Sequence, residues 1–250
     1  MTVSAEGFLD VARDAVARVE KTQMDAIREA STVLAGRMRS GGVVQLFGTG
    51  HSRAFSMEMA GRAGGLVPTH AMYLEDLALF GRYPAREVKD PTFERRPEVV
   101  HELIDLYDVR PEDAFVVTSN SGRNASIVEM ALVAKERGFP LVAVTSMAHT
   151  SSVSSRHPSG RRLYELADIV IDNCAPHGDA ALELGGGRTV CAVSSVTGAV
   201  IAQALTAEIA RCYQEVGEEP PVLVSANLDG ADEVNAALRA PYRGRIAWEV

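Results

Sequence analysis

The stretch VVTSNSGRNASIVEMA, residues 116–131, joins two periodicities. Ala114–Thr118 is a short apolar run bounded by polar residues, the pattern of a buried strand. From about Asn124 to Arg137 apolar residues recur at three- and four-residue spacing, the pattern of a helix. Between them stand Ser119, Asn120, Ser121 and Gly122. A strand that enters a helix through such a turn is one part of a β–α–β unit, and the rest of the chain repeats the alternation.

Upstream, GGVVQLFGTGHS gives a strand over Val43–Phe47, followed by glycines and the helical SRAFSMEMAGRA. A second strand is expected near Leu66, with a polar loop after it. Residues 81–96 are charged and hold Pro84 and Pro91, so they read as a loop or flap; Pro97 starts a helix to about Tyr107. Downstream, Leu141–Thr145 and Ile169–Asp172 read as further strands, a long helix covers 189–216, and Asp229 and Gly230 turn into a short last helix. Two helices, carrying Phe8 to Val19 and Met24 to Met38, precede the first strand. The expected fold is α/β: a three-layer sandwich around a mostly parallel sheet, both faces covered by helices. One domain spans 1–250, with an N-terminal helical extension over 1–40 and a C-terminal tail over 218–250.

The net charge of −8 argues against nucleic-acid or anionic-membrane partners. Three cysteines without regular spacing do not form a disulfide framework, and no basic-then-apolar leader is evident, so a cytoplasmic protein is expected. The apolar stretch 189–207 is close to membrane-spanning length, but its Ser194, Ser195, Thr197 and Gln203 suit a helix in the core or at a subunit interface. The surplus apolar surface on this helix and the first two implies a homo-oligomer, dimer or tetramer.

In open α/β sheets ligands sit beyond the carboxyl ends of the strands. Two special loops fall there: Gly48-Thr49-Gly50-His51-Ser52, and Ser119 to Asn124. Each brings backbone N–H groups and hydroxyls to a helix start, where partial positive charge and unpaired donors suit an anion. Gly50, Ser52, Ser119, Asn120, Ser121, Gly122, Arg123 and Asn124 are the candidate phosphate-binding residues. Each loop taken alone also reads as a helix cap. The dinucleotide fingerprint, the P-loop and the G-x-S-x-G elbow do not occur.

These two loops resemble the phosphosugar-binding loops of the SIS (sugar isomerase) domain family, over roughly residues 20–217. The SGR stretch is similar to that of N-acetylmuramic acid 6-phosphate etherases, and NCAPHGDAAL and PPVLVSANLDGADEVN resemble a bacterial set of SIS proteins. The resemblance implies a nucleotide-binding-like α/β sandwich, a sugar 6-phosphate ligand and at least a dimer; no cofactor is expected. It implies phosphate contacts at Ser52, Ser119, Ser121 and Asn124.

Such enzymes remove a proton beside a carbonyl, which needs a carboxylate or imidazole within reach of the sugar. Glu75, after the second strand, is the first candidate; it also reads as a solvated loop acid. His51, inside the first loop, and His177, which Asp179 could orient, follow. Glu58 lies too far along its helix and suits a surface role. Cys174 with His177 lacks two further ligands for zinc, so no metal is expected. The expected activity is proton abstraction at carbon two of an amino-sugar 6-phosphate followed by elimination. Aldose–ketose isomerisation and a non-catalytic phosphosugar sensor are the alternatives.

Overall fold

A computed structural model describes residues 3–246. Helix α1 (Ala5–Arg39) leads into strand β1 (Val44–Gly48), a 3-10 turn at Gly50–Arg53 and α2 (Ala54–Met59). Then come β2 (Thr69–Met72), the short helices α3 (Asp76–Leu79) and α4 (Ala85–Val88), and α5 (Val99–Ile104). The central part runs β3 (Ala114–Thr118), α6 (Ala125–Glu136), β4 (Leu141–Thr145), α7 (Met147–Thr150) and β5 (Ile169–Asp172). A hairpin of β6 (Ala180–Gly185) and β7 (Arg188–Ala192) precedes α8 (Ser194–Glu215) and α9 (Ala231–Arg239).

The five strands of the main sheet pair in parallel in the order β2-β1-β3-β4-β5. Alternate side chains leave the sheet on opposite faces. Val44, Leu46, Val116, Val144 and Ile171 meet Leu34 of α1, Met59 of α2 and Leu205 of α8. Phe47, Phe115, Val117 and Ala143 meet Leu103 of α5 and Ile127 and Met130 of α6. Each buried Leu, Ile or Phe contributes ~1.5–3 kcal/mol, so both faces must be covered and a three-layer α/β sandwich results. The hairpin packs Leu182 against Val11 and Ala15 of α1 in a separate cluster.

One polar chain crosses the α5–α6 face. Asp113, fully buried, accepts from Val43 N at 2.8 Å, Gln45 Nε2 at 2.9 Å and Arg245 Nη2 at 2.6 Å. Because Gln45 donates to the carboxylate, its Oε1 faces His70 Nδ1 at 2.8 Å, and His70 must donate there. The His70 ring meets Tyr107 edge-on at 4.4 Å, and Tyr107 donates to Asp76 at 2.6 Å. Burial depresses the His70 pKa to about 4, against a smaller opposing pull from Asp113.

Several expectations are corrected. The first two helices are one 35-residue helix, because residues 20–26 turn their polar side chains outward without breaking the helix. The second strand lies at Thr69–Met72; Leu66 instead bridges antiparallel to Val222 of the C-terminal segment. His70 therefore sits in this strand. The helix expected from 189 begins at Ser194, because residues 188–192 return along β6 after Gly185, Gly186 and Gly187, all at positive φ. Segment 81–96 is no loose flap: it holds α4 and a 3-10 turn, and Phe93 anchors it, 1% exposed and edge-on to Tyr83 at 5.3 Å.

Candidate functional site

The strand order reverses at β1, with β2 on one side and β3 on the other, so the connections leaving β1 and β3 diverge and open a crevice at the carboxyl edge. Loop 1 (48–52) and loop 2 (119–124) bound it. Their close approach depends on Gly48, where a Cβ would lie 3.0 Å from the Ser52 carbonyl oxygen and 3.1 Å from that of Thr118.

Loop 2 is held from beneath. Ser119 is buried and its Oγ accepts from Gly122 N at 3.1 Å. Asn120 Oδ1 accepts from Asn173 Nδ2 at 3.0 Å. Gly122 has φ +59, and its carbonyl accepts from Leu163 N at 2.9 Å. The Arg123 carbonyl accepts from Arg156 N at 2.9 Å, and Arg123 Nη2 reaches Ser154 at 3.5 Å. Asn124 is the residue before α6, yet its side chain does not cap the helix. It donates from Nδ2 to Glu94 Oε1 at 2.6 Å and accepts from Arg156 Nη1 at 3.1 Å. Asn124 thus has its amide committed to protein partners. The first N–H groups of α6 are left without side-chain acceptors, and the Ser121 hydroxyl, half-buried, has no protein partner among the described residues.

The start of α8 is different. Asp179, at φ +71, accepts from Val193 N at 3.0 Å, Ser194 N at 2.8 Å and Ser194 Oγ at 2.7 Å. Asp179 therefore caps α8 and does not orient His177. His177 is exposed and stacks on His149, ring centroids 4.8 Å apart and planes 12° from parallel. His149 Nδ1 accepts from Gly178 N at 2.8 Å; burial, then His177 and Arg123, hold its pKa below the usual range. Among the described residues no cluster of His, Cys, Asp or Glu is arranged to hold a metal.

A cleft of about 630 Å³ opens beside loop 1. Its walls are the loop from Gly48 to His51, Arg53 and Met57, the turn bearing Glu75, and the segment from Val88 to Glu94. The cleft thus brings together Gly50, His51 and Glu75, while His177 is not among its lining residues. The Glu75 carboxylate is paired with Arg53. Its turn is set by Asp76, which accepts from Tyr73 N at 2.8 Å and from Tyr107. Ser52 faces a void of about 20 Å³ behind loop 1, shared with His51, Asn173 and Ser194 and with Thr118, whose buried hydroxyl has no partner. That is room for about one water. Glu58 pairs with Arg62 and accepts from Gln203 at 2.7 Å, away from the cleft lining. Arg53, Lys89 and Glu94 were not foreseen: the last two lie in the charged stretch that reads as solvated, and only the burial of Phe93 marks that stretch as part of the site.

A diverging pair of loops at the switch point of a doubly wound sheet, one ending in an open helix start, is the place where open α/β proteins take their ligands. Residues 7–146 match the SIS domain model, and the chain belongs to the SIS domain family. A UPF0309 protein of Geobacillus kaustophilus is 40% identical over 225 residues, 90% of this chain and 88% of that protein. A UPF0309 protein of Listeria monocytogenes is 37% identical over 244 residues, 96% of this chain and 97% of its own length. The fold matches the phosphoheptose isomerase of Neisseria gonorrhoeae, with TM-score 0.55 and 18% identity over 82% of this chain and 96% of that one. It also matches the Vibrio vulnificus NanR protein complexed with ManNAc-6P, with TM-score 0.51 and 15% identity over 96% of this chain and 70% of that one. No helix of the described residues is long and apolar enough to cross a membrane.

Proposed function

We propose that the protein is a phosphosugar enzyme that takes an amino-sugar 6-phosphate, such as N-acetylglucosamine 6-phosphate, and removes the proton from carbon two of its open-chain form. The observation that carries this reading is the start of α6, with uncapped N–H groups and a free Ser121 hydroxyl, linked through the Asn124–Glu94 hydrogen bond to a cleft that Glu94 lines together with Glu75. A phosphate on loop 2 gains neutral donors and the positive end of a helix, which suits an acidic chain. Glu75 then takes the carbon-bound proton, with His51 at hand for the oxygen. The resulting enediolate-like species expels a group from carbon three, which makes the enzyme a lyase or dehydratase. Reprotonation at carbon one would instead make it an isomerase, the activity in the name of the Neisseria neighbour. The Arg53–Glu75 pair favours a second reading, a sensor that binds the sugar phosphate and turns nothing over, because the carboxylate is already engaged by a cation. The ligand-bound NanR neighbour has the same fold.

The active form is a homo-oligomer in this reading, since Leu9 on α1 and Leu184 on the hairpin are 53% and 51% exposed. A stable monomer in light scattering at micromolar concentration would remove that part. Incubation with a panel of hexose and hexosamine 6-phosphates, read by mass spectrometry and NMR, tests the chemistry: mass loss marks a lyase, unchanged mass with a new spectrum marks an isomerase. Ser121→Ala should weaken sugar-phosphate binding by ~1.5–3 kcal/mol, the range for a hydrogen bond to a charged group. Unchanged affinity in calorimetry would reduce loop 2 to a helix cap.

A further inference from the structure

Glu94 stands between the cleft and loop 2: it lines the cleft on one side and accepts from Asn124 at 2.6 Å on the other. Its backbone is fixed, because Ser126 Oγ donates to the Glu94 carbonyl at 2.7 Å and the preceding Phe93 is buried. Of its carboxylate oxygens, Oε1 has this one amide donor and Oε2 has no protein partner among the described residues. Resting on the phosphosugar reading above, we propose that Glu94 is a specificity-determining residue that accepts a hydrogen bond from the ligand hydroxyl on the carbon next to the phosphate-bearing one.

The chemistry of the two groups fixes the assignment. An ionised carboxylate only accepts hydrogen bonds, and so does a phosphate dianion, so Glu94 does not hold the phosphate itself. A molecule with its phosphate on loop 2 and its remainder in the cleft passes along Glu94, and only a donor on that molecule satisfies the open oxygen. In a polyol phosphate the group at that place is the neighbouring hydroxyl. The Asn124 amide orients the carboxylate without neutralising it, so the charge stays available to the hydroxyl. Glu75, tied to the Arg53 cation, offers the ligand a weaker acceptor.

The test is calorimetry of wild type, Glu94→Gln and Glu94→Ala with glucitol 6-phosphate and its 5-deoxy analogue. Wild type should bind glucitol 6-phosphate roughly ten- to a hundredfold more tightly than the analogue, the ratio a hydrogen bond to a charged group supports. Glu94→Ala should abolish the difference by lowering affinity for glucitol 6-phosphate alone, and Glu94→Gln, which keeps an acceptor without the charge, should fall between. If Glu94→Ala does not fold, the wild-type ratio and Glu94→Gln decide. Equal wild-type affinities for the two ligands, both weakened by Ser121→Ala, would overturn the role of Glu94 and leave the phosphosugar reading intact. Binding of neither ligand, nor of any of the hexose and hexosamine 6-phosphates, would overturn both.

Discussion

Gly122→Ala is the substitution that asks most of loop 2. Gly122 sits at φ +59, and a Cβ there would lie 2.7 Å from Thr150 Oγ1 and 3.3 Å from Thr145 Oγ1. An alanine in the left-handed region costs ~1–2 kcal/mol from its own backbone. Thr150 is fully buried, so the overlap adds the cost of overpacking, ~1–3 kcal/mol. The sum is about 2–5 kcal/mol in denaturant unfolding. The two parts are separable, because Thr150→Ala removes the clashing hydroxyl and leaves the backbone strain. In the Gly122→Ala background that second change should restore about 1–3 kcal/mol, whereas alone it should be mildly destabilising. Sugar-phosphate affinity should follow the loop, since the Gly122 N–H bond to Ser119 and the Leu163 N–H bond to the Gly122 carbonyl both move. A Gly122→Ala protein within 0.5 kcal/mol of wild type, roughly the scatter of neutral surface changes, would refute the steric argument. So would a double variant no more stable than the single one.

Two further outcomes are expected. His70 has a folded pKa of about 4 against an ordinary 6.5, so its contribution is whole above pH ~6.5 and is lost as pH falls towards 4, the unfolded chain taking up the proton first; the loss reaches about 3 kcal/mol. Unfolding curves at pH 7.5 and 4.5 should show a smaller pH dependence for His70→Asn, and an unchanged one would show that His70 is not the sensitive group. Glu75→Gln should keep ligand binding and lower turnover ~100- to 10,000-fold, with deuterium exchange at carbon two falling in parallel; exchange at the wild-type rate would move the role of base to His51.

The parts of the fold read correctly from sequence are those where burial is simple. Strands β3, β4 and β5 are buried runs with polar loops on either side, and α6 follows a Gly/Ser turn. Strand β2 was displaced because it carries His70, a polar residue made tolerable in the core only by Gln45 and Asp113, which are distant in sequence. The hairpin was absorbed into a helix because Thr189–Ala192 continues the small apolar run of α8; the triple glycine before it was the available signal. In the site, loop positions were legible because they follow strand ends. The partners were not: Asn124 turning to Glu94, Glu75 to Arg53 and Asp179 to α8 are contacts between segments that no spacing connects.

Loop 1 lies between two helix starts, and only one of them keeps its donors free. At the other, Asp179 is a tethered competitor, present at an effective concentration of roughly millimolar or above, so a dilute anion in solution does not dislodge it. The crevice therefore has a built-in polarity. A slender molecule charged at one end meets a closed helix start at α8 and an open one at α6, with Arg53 and Lys89 in the cleft beside loop 1. An anion brought to the start of α8 would face the Asp179 carboxylate, so one acidic residue closes that end of the crevice to negative charge.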